Sequence, residues 1–375
     1  MAVYKIFPEK DATLYSYYPA TNTGLDEILE VSTFTSIVED TKEVSRAVIK
    51  FSTSEIVDII ANKVTGSYKA YLKLNVASAV ELPSDYTIYC YPLSGSWDMG
   101  TGRLSNYPVT EDGVNWSGKT VSELWESGSF TTGVTSSCPN TNLGGGTWYT
   151  GSAGINLEST QSFSYNDNKD VELNVTNAIS GFYNFETNPF APYRINNDGF
   201  ILKHSVATEF NTGSAPFELK YFSADTHTIY PPCLEIRWDD STFVTGSLTL
   251  ATSDKTLISV KNNKGKFQQD SINRFRLGVR DQYPPRTFQS TYLYLTETKL
   301  LPSSSYWAIK DLDTDEWVID FDTSYTKISA DPTSNFFDIH MTGLQPERFY
   351  KIIIKSIIGK STIIFDEDYI FKVIR

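Results

Sequence analysis

Three aspartates stand at alternate positions in the last fifth of the chain, at Asp311, Asp313 and Asp315. Asp322 follows at the twelfth position of the same window, so the spacing is that of an EF-type loop whose carboxylates bind Ca²⁺. The sixth position is Glu316, where such a loop requires glycine, and both flanks have the alternating pattern of strands. The sequence therefore contains one candidate calcium site, with a solvated hairpin turn as the alternative, and indicates no other cofactor.

Catalytic chemistry has few candidate residues. A nucleophile needs a nearby base, and the three histidines, His204, His227 and His340, stand in no recognisable motif. The sequence contains no HExxH, GxSxG or Walker pattern. Among 45 acidic residues some will always lie close together, but the sequence singles out no pair for glycoside cleavage. We therefore expect a protein without enzymatic activity, and a glycan-cleaving enzyme is the third-ranked alternative.

Tryptophans in turn-rich segments are the residues best suited to recognition. Trp97 and Trp116, with Trp125 and Trp148, fall in or beside predicted loops, where their rings would stack on sugars or fill a pocket of a partner. Packing in the core is the alternative for each ring. Trp97 and Trp116 are accordingly the candidate glycan or partner contacts.

Three arginines form a second candidate surface. Arg274, Arg276 and Arg280 lie opposite the apolar side chains of the same predicted strand, so they share one face. In an otherwise acidic chain, this face would pair with an acidic neighbouring subunit and form an assembly interface. A solvated face balanced by local Asp and Glu is the alternative.

Charge and composition exclude several classes of protein. The 375 residues carry 32 Lys and Arg against 45 Asp and Glu, a net charge of -13, so we expect that nucleic acid is not the main partner. The abundance of Tyr, Phe, Gly and Pro favours strands and turns. Three cysteines without CxxC spacing predict neither a disulfide framework nor a zinc site. No apolar run predicts a secretion signal or a membrane segment.

Strands with period-two alternation recur along the whole chain. The clearest have the apolar series Ala70, Leu72, Leu74 and Val76, then Val171, Leu173 and Val175, then Leu234, Ile236 and Trp238. One short helix is expected after Ser52, which forms a capping box with Glu55. The polar segment that follows Trp238 marks a domain boundary, which we place between residues 1–240 and 241–375.

The predicted second domain has the pattern of an immunoglobulin-like sandwich. A hairpin is predicted from Trp307 to Phe321, turning around Asp313 to Asp315. The Leu, Pro and Tyr spacing in Leu344 to Tyr350, before an alternating strand, resembles the tyrosine-corner strand of fibronectin type III and immunoglobulin-like domains. We expect an Ig-like or fibronectin-III-like β-sandwich here.

The first domain resembles the DNRLRE-type jelly-roll modules, which are related to carbohydrate-binding modules. The resemblance covers nearly all of residues 1–240. It is carried by Asp11-Ala-Thr-Leu-Tyr15 with Pro19, Asn22 and Gly24, by Glu27 to Val31, by Ser45 to Phe51, by Gly113-Val-Asn-Trp116, by Asn197 to Leu202 and by Pro231 to Ile236. It implies an all-β protein whose N-terminal jelly-roll β-sandwich precedes the Ig-like domain.

The whole chain is similar to virion structural proteins of large contractile-tailed phages, especially neck or head-to-tail connector proteins of phages of marine cyanobacteria. This resemblance implies a non-enzymatic component of the virion, assembled in the host cytoplasm. Its partners would be copies of itself in a symmetric ring and other virion structural proteins. The alternative is a carbohydrate-binding or adhesion module on a phage fibre or cell surface.

Overall fold

The protein is all-β, as the sequence predicts. The structure, a computed structural model, describes residues 2–36, 41–80, 85–125, 134–136, 144–152, 154–164, 166–211, 213, 215–283 and 298–375. The chain divides into an N-terminal unit, Ile6–Lys63 with Lys69–Glu235, and a C-terminal unit, Ile236–Arg375 with Met1–Lys5 and Val64–Tyr68. The change of unit after Glu235 lies near the boundary that we place at residue 240. The sequence does not predict that the two short segments, Met1–Lys5 and Val64–Tyr68, belong to the C-terminal unit.

The jelly-roll sandwich contains a four-stranded and an eight-stranded sheet. Its strands are β1 (Ala2–Ile6), β2 (Pro8–Tyr15), β3 (Ile28–Thr35), β4 (Lys42–Phe51), β5 (Tyr68–Leu74), β6 (Val76–Val80), β7 (Asp85–Pro92), β8 (Val134–Ser136), β9 (Thr147–Tyr149), β10 (Gly151–Ser152), β11 (Ile155–Asn156), β12 (Ser159–Ser164), β13 (Val171–Asn174), β14 (Phe200–Lys203), β15 (Phe217–Phe222) and β16 (Cys233–Trp238). The smaller sheet has the order β1-β16-β5-β13. The larger has the order β12-β7-β14-β4-β3-β15-β6, with β2 also paired to β4. The pairs β8-β9 and β10-β11 form two small ribbons.

The alternation predicted for β5 and β13 is confirmed. Leu72 lies opposite Leu173 and Leu74 opposite Val171, and all four side chains are buried. β16 differs, because its polar side chains are buried as well. Glu235 pairs with Lys73 at 3.2 Å, and Arg237 donates to the Tyr325 hydroxyl at 2.6 Å. Those partners satisfy charges that alternation alone would place in solvent.

Helices are few and short. α1 (Thr53–Asn62) begins where the capping box predicts, because the Ser52 hydroxyl accepts from the Glu55 amide while Ile56 and Ile59 are buried. α2 (Thr176–Thr187) is not predicted by the sequence pattern, since it is rich in Asn, Thr and aromatic residues and has no side-chain cap. α3 (Val206–Glu209) is a single turn. No helix in the described ranges is long and apolar enough to cross a membrane.

The C-terminal unit is a second sandwich. Its strands are β17 (Thr256–Lys261), β18 (Lys266–Gln268), β19 (Ile272–Asp281), β20 (Ser305–Asp311), β21 (Trp317–Ile319), β22 (Ser329–Ala330), β23 (Asn335–His340), β24 (Phe349–Ile358) and β25 (Ser361–Ile374), with a 3₁₀ turn at Met341–Gly343. They form the sheets β17-β19-β23-β22 and β18-β25-β24-β20-β21. The predicted hairpin is confirmed by the pairing of β20 with β21. The predicted tyrosine corner is confirmed too, because the Tyr350 hydroxyl donates to the Gln345 carbonyl at 3.0 Å.

Candidate functional site

An apolar core lies on one face of the eight-stranded sheet. Cross-strand pairing places Ala12, Val48, Ile201 and Tyr91 in one row, so their side chains share that face. The segment that follows β7 folds back over them. The resulting cluster comprises Ala12, Leu14, Val44, Val48, Tyr91, Leu93, Trp97, Val114, Trp116, Trp125, Trp148 and Ile201. We call the covering segment, Leu93 to Trp148 in its described parts, the tryptophan plug.

The expectation that Trp97 and Trp116 are exposed contacts is wrong. Trp97 is 0% exposed and Trp116 is 4% exposed. The indole of Trp97 donates to the Asp198 carbonyl at 2.8 Å, so its polar edge is satisfied inside the protein. Burying a ring of this size against an apolar sheet face stabilises the fold more than leaving the ring in water. The turn-rich sequence around Trp97 allows the chain to fold back over the sheet. Neither ring offers a surface for a sugar or a partner.

Beneath the plug lies a buried group of three charges, which we call the charge triad: Arg46 on β4, Lys203 on β14 and Glu209 on α3. Their side chains are 0–1% exposed. The Arg46 guanidinium donates to both carboxylate oxygens of Glu209, at 3.2 and 2.8 Å, and Lys203 approaches the same carboxylate at 3.1 Å. The guanidinium lies 5.0 Å from the Trp116 ring centre and 5.4 Å from that of Trp148. Aromatic faces thus replace the water that the cations lose.

The protonation of the triad follows from its burial. Burial lowers the pKa of Lys203 to about 8, even though Glu209 acts to raise it. Burial alone would raise the pKa of Glu209, but Arg46 and Lys203 outweigh it and hold that pKa below its ordinary value. Glu209 is therefore ionised at neutral pH, and the triad carries one cation in excess of its single carboxylate.

A glycine run completes the enclosure of Arg46. The Gly145 carbonyl accepts from the guanidinium at 2.6 Å, and the Gly145 amide donates to the Trp116 carbonyl at 2.6 Å. A Cβ at Gly145, whose φ is +73°, would lie 2.7 Å from both the guanidinium and the Trp116 ring. Sequence reasoning missed the triad, because its members are far apart in the chain. The run Gly144–Gly146 was the available signal, since it marks a close approach of the backbone.

Beside the plug, an open cleft of about 360 Å³ remains in the N-terminal unit. It is lined by Asp85, Tyr86, Thr87, Tyr89, His204, Ser205, Thr208, Ala215 and Phe217. The half-buried ring of Tyr89 stacks on Tyr91 with ring centres 6.4 Å apart. Burial lowers the pKa of His204, so its imidazole is neutral at pH 7, with Nδ1 accepting from the Ser205 amide. Aromatic rings beside hydroxyls and a carboxylate are the groups that hold a sugar ring.

The arginine face is balanced within the chain. Arg274 donates from Nε and a terminal nitrogen to both oxygens of Asp338 at 2.8 Å. Arg276 pairs with Asp331 at 2.8 Å and holds the pKa of that carboxyl well below its usual range. Arg280 donates to the Asp281 carbonyl at 3.5 Å. The alternative from the sequence, a face balanced by local Asp and Glu, describes Arg274 and Arg276, while a role of this face in assembly stays a prediction.

The candidate calcium ligands face cations of the protein itself. Asp311 forms a bidentate pair with Arg348, at 2.6 Å for both bonds, and accepts the amides of Asp313 and Thr314. Asp315 pairs with Lys310 at 2.9 Å. Within the described residues, no three His, Cys, Asp or Glu side chains are grouped to hold a metal ion. This segment is therefore a hairpin turn, which is the alternative that the sequence offers to a calcium site.

Two of the three cysteines lie in the described part of the chain. Cys90 and Cys233 are buried thiols, and burial raises the pKa of the Cys90 thiol. Cys138 lies outside the described residues. A buried thiol with a raised pKa is an inert core residue.

No family model matches the chain, and no curated protein matches it. Among solved structures, the adhesin domain of Epf from Streptococcus pyogenes aligns over 98% of both chains at 11% identity, with a TM-score of 0.18. A similarity of that size supports no inference about function.

Proposed function

We propose that this chain is a non-enzymatic structural component of a tailed-phage virion, in the neck, the head-to-tail connector or a tail-associated ring. It would contact further copies of itself and neighbouring virion proteins through the outer surfaces of its two sandwiches. Symmetry would multiply modest contacts into a stable assembly.

The burial of the charge triad carries the structural part of this proposal. Arg46, Lys203 and Glu209 are enclosed in the N-terminal unit and paired with one another. Buried charges contribute little net stability, but they hold the elements that supply them in one arrangement. Here they fix β4, β14 and α3 against the tryptophan plug. The sequence resemblance to phage structural proteins supports the location in a virion.

The test is localisation in particles of the phage that encodes the chain. An antibody raised against the purified full-length protein should label intact virions at one level of the head-to-tail axis. The same antibody, absorbed beforehand with the purified protein, is the control and should label nothing. Absence of the chain from the peptides of purified particles would overturn the proposal.

A carbohydrate-binding module on a phage fibre or cell surface is the second candidate, and the cleft around Tyr89 favours it. The cleft combines a half-buried aromatic ring with hydroxyls of Thr87, Ser205 and Thr208. If it holds a sugar, Tyr89→Ala should abolish a saturable signal on a glycan array. Tyr107→Ala is the matched control, because Tyr107 is fully exposed and lies outside the cleft. Equal binding by both variants, or none by the wild type, would rule the candidate out.

A further inference from the structure

Strand β6, Val76–Val80, is an edge of the eight-stranded sheet. It pairs with β15 on one side, and no other strand of the described residues pairs with it. Val76 is half-buried, the next four residues are exposed, and Val80 is 45% exposed. Main-chain donors and acceptors on the outer side of such a strand form a template for another strand.

The opposite edge of the same sheet is closed. Gln161 on β12 donates to the Asp170 carbonyl at 3.0 Å and accepts the Glu172 amide at 2.6 Å. The Ser159 hydroxyl donates to the Asn174 carbonyl at 2.5 Å. These side chains tie β12 to the segment that contains β13. Of the two sheet edges, β6 is the one left accessible.

The composition of β6 offers little protection against pairing. Edge strands are usually guarded by lysine, proline or a bulge. Val76 to Val80 reads Val-Ala-Ser-Ala-Val, without charge and without proline. A register shift at Lys220/Tyr221 leaves Ala77 without a counterpart on β15, and at the start of the strand the Val76 amide donates to Asp170 at 2.8 Å. The four residues from Ala77 onward remain the open part.

The sequence of β6 also favours one particular partner. Two antiparallel strands related by a two-fold axis place residue i opposite residue j and residue j opposite residue i. Because Val-Ala-Ser-Ala-Val reads the same in both directions, Ser78 would face its own copy on the axis and Ala77 would face Ala79. All these pairs are small and uncharged. The nearest charges on β15, Lys220 and Glu218, already pair with each other.

We propose that a second copy of this chain pairs antiparallel along β6 and joins two eight-stranded sheets across a two-fold axis. The inference goes beyond the ring of the proposed function, because a two-fold pair closes on itself and does not generate a ring. Its test uses the purified chain alone. Failure of the pairing would leave the virion location standing, and absence from virions would leave the pairing standing.

A disulfide across the axis tests the geometry. Residues directly opposite in an antiparallel pair have Cα atoms about 4.5–5.5 Å apart, which a disulfide spans without strain. Ser78→Cys, in a Cys138→Ser background, should form a covalent dimer under mild oxidation at least ten times faster than Ser162→Cys in the same background. Ser162 is the matched control, because it is an exposed serine on the closed edge. Equal rates for the two variants would overturn the proposal.

A second variant separates pairing along β6 from chance collision. Ala79→Lys places a charge in the open part of the strand, and in the Ser78→Cys background it should slow cross-linking at least ten-fold. Circular dichroism and the melting temperature should stay unchanged, because Ala79 is exposed. Fast cross-linking by a folded Ala79→Lys protein would show that the disulfide forms without strand pairing.

Discussion

Replacing Glu209 by glutamine removes the single carboxylate of the charge triad and keeps its shape. Two cations, Arg46 and Lys203, then remain enclosed with side chains 0–1% exposed, so water cannot replace the lost partner. Breaking a buried pair in this way costs about 3–5 kcal/mol of unfolding free energy. For a unit of this size the melting temperature falls by roughly 2–4 °C per kcal/mol, so the expected drop is about 10 °C.

Lys203→Met is the matched control, because it removes the excess cation and leaves the pair of Arg46 with Glu209 intact. We expect a change within about 1 kcal/mol in either direction. Lys203 also makes the free energy of unfolding depend on pH. Because its pKa is about 8 in the folded protein against an ordinary 10.5, the unfolded state binds more protons between those values, and the free energy of unfolding rises with pH in that window. Lys203→Met should remove this rise.

Urea unfolding followed by tryptophan fluorescence is the assay, since Trp97, Trp116, Trp125 and Trp148 all lie in the core above the triad. Measurements at pH 7 and pH 9.5 on both variants and the wild type separate the two effects. A loss below about 1 kcal/mol for Glu209→Gln would refute the reasoning, as would an equal loss for Lys203→Met.

Three further predictions concern single residues. Trp97→Ala should lower the free energy of unfolding by about 3–5 kcal/mol in urea, because it opens a cavity in the plug, whereas a ring held in solvent would cost almost nothing. Burial raises the pKa of Asp11 from 3.8 to about 7, so the folded carboxyl keeps a proton that the unfolded one releases. Stability should therefore fall as the pH rises from about 4 to about 7, by up to about 1.4 kcal/mol per unit, and melting curves of Asp11→Asn should lack this slope. Arg274→Ala should change the free energy of unfolding by less than about 1 kcal/mol, since its pair with Asp338 is partly exposed, and a larger loss in urea would contradict that view.

Features encoded by nearby residues are the ones that the sequence predicts well. The capping box at Ser52, the hairpin after Trp307 and the tyrosine corner at Tyr350 all depend on contacts within a few positions. α2 escaped prediction because its helix propensity is poor and burial of Ile179 and Phe182 decides the outcome.

The candidate sites depended on distant contacts, and the sequence predicted them poorly. Alternation correctly placed Arg274 and Arg276 on one face but could not show that Asp338 and Asp331 would neutralise them. The turn-rich context of Trp97 indicated a loop, and loops are usually solvated. Only the neighbouring sheet face, supplied by residues far away in the chain, explains why this loop is buried.

The charge triad also bears on the order in which parts of the protein fold. Arg46 is 99 residues from Gly145 and 163 residues from Glu209 along the chain, so neither bond can form until long loops have closed. Such closures lose chain entropy before any contact compensates for it, and they belong to the slow part of folding. During refolding, the tryptophans should therefore become protected from a soluble quencher only after a slow interval. A newly made chain would expose the tryptophan rings of the plug to water throughout that interval. Association with other chains would then compete with the burial of these rings.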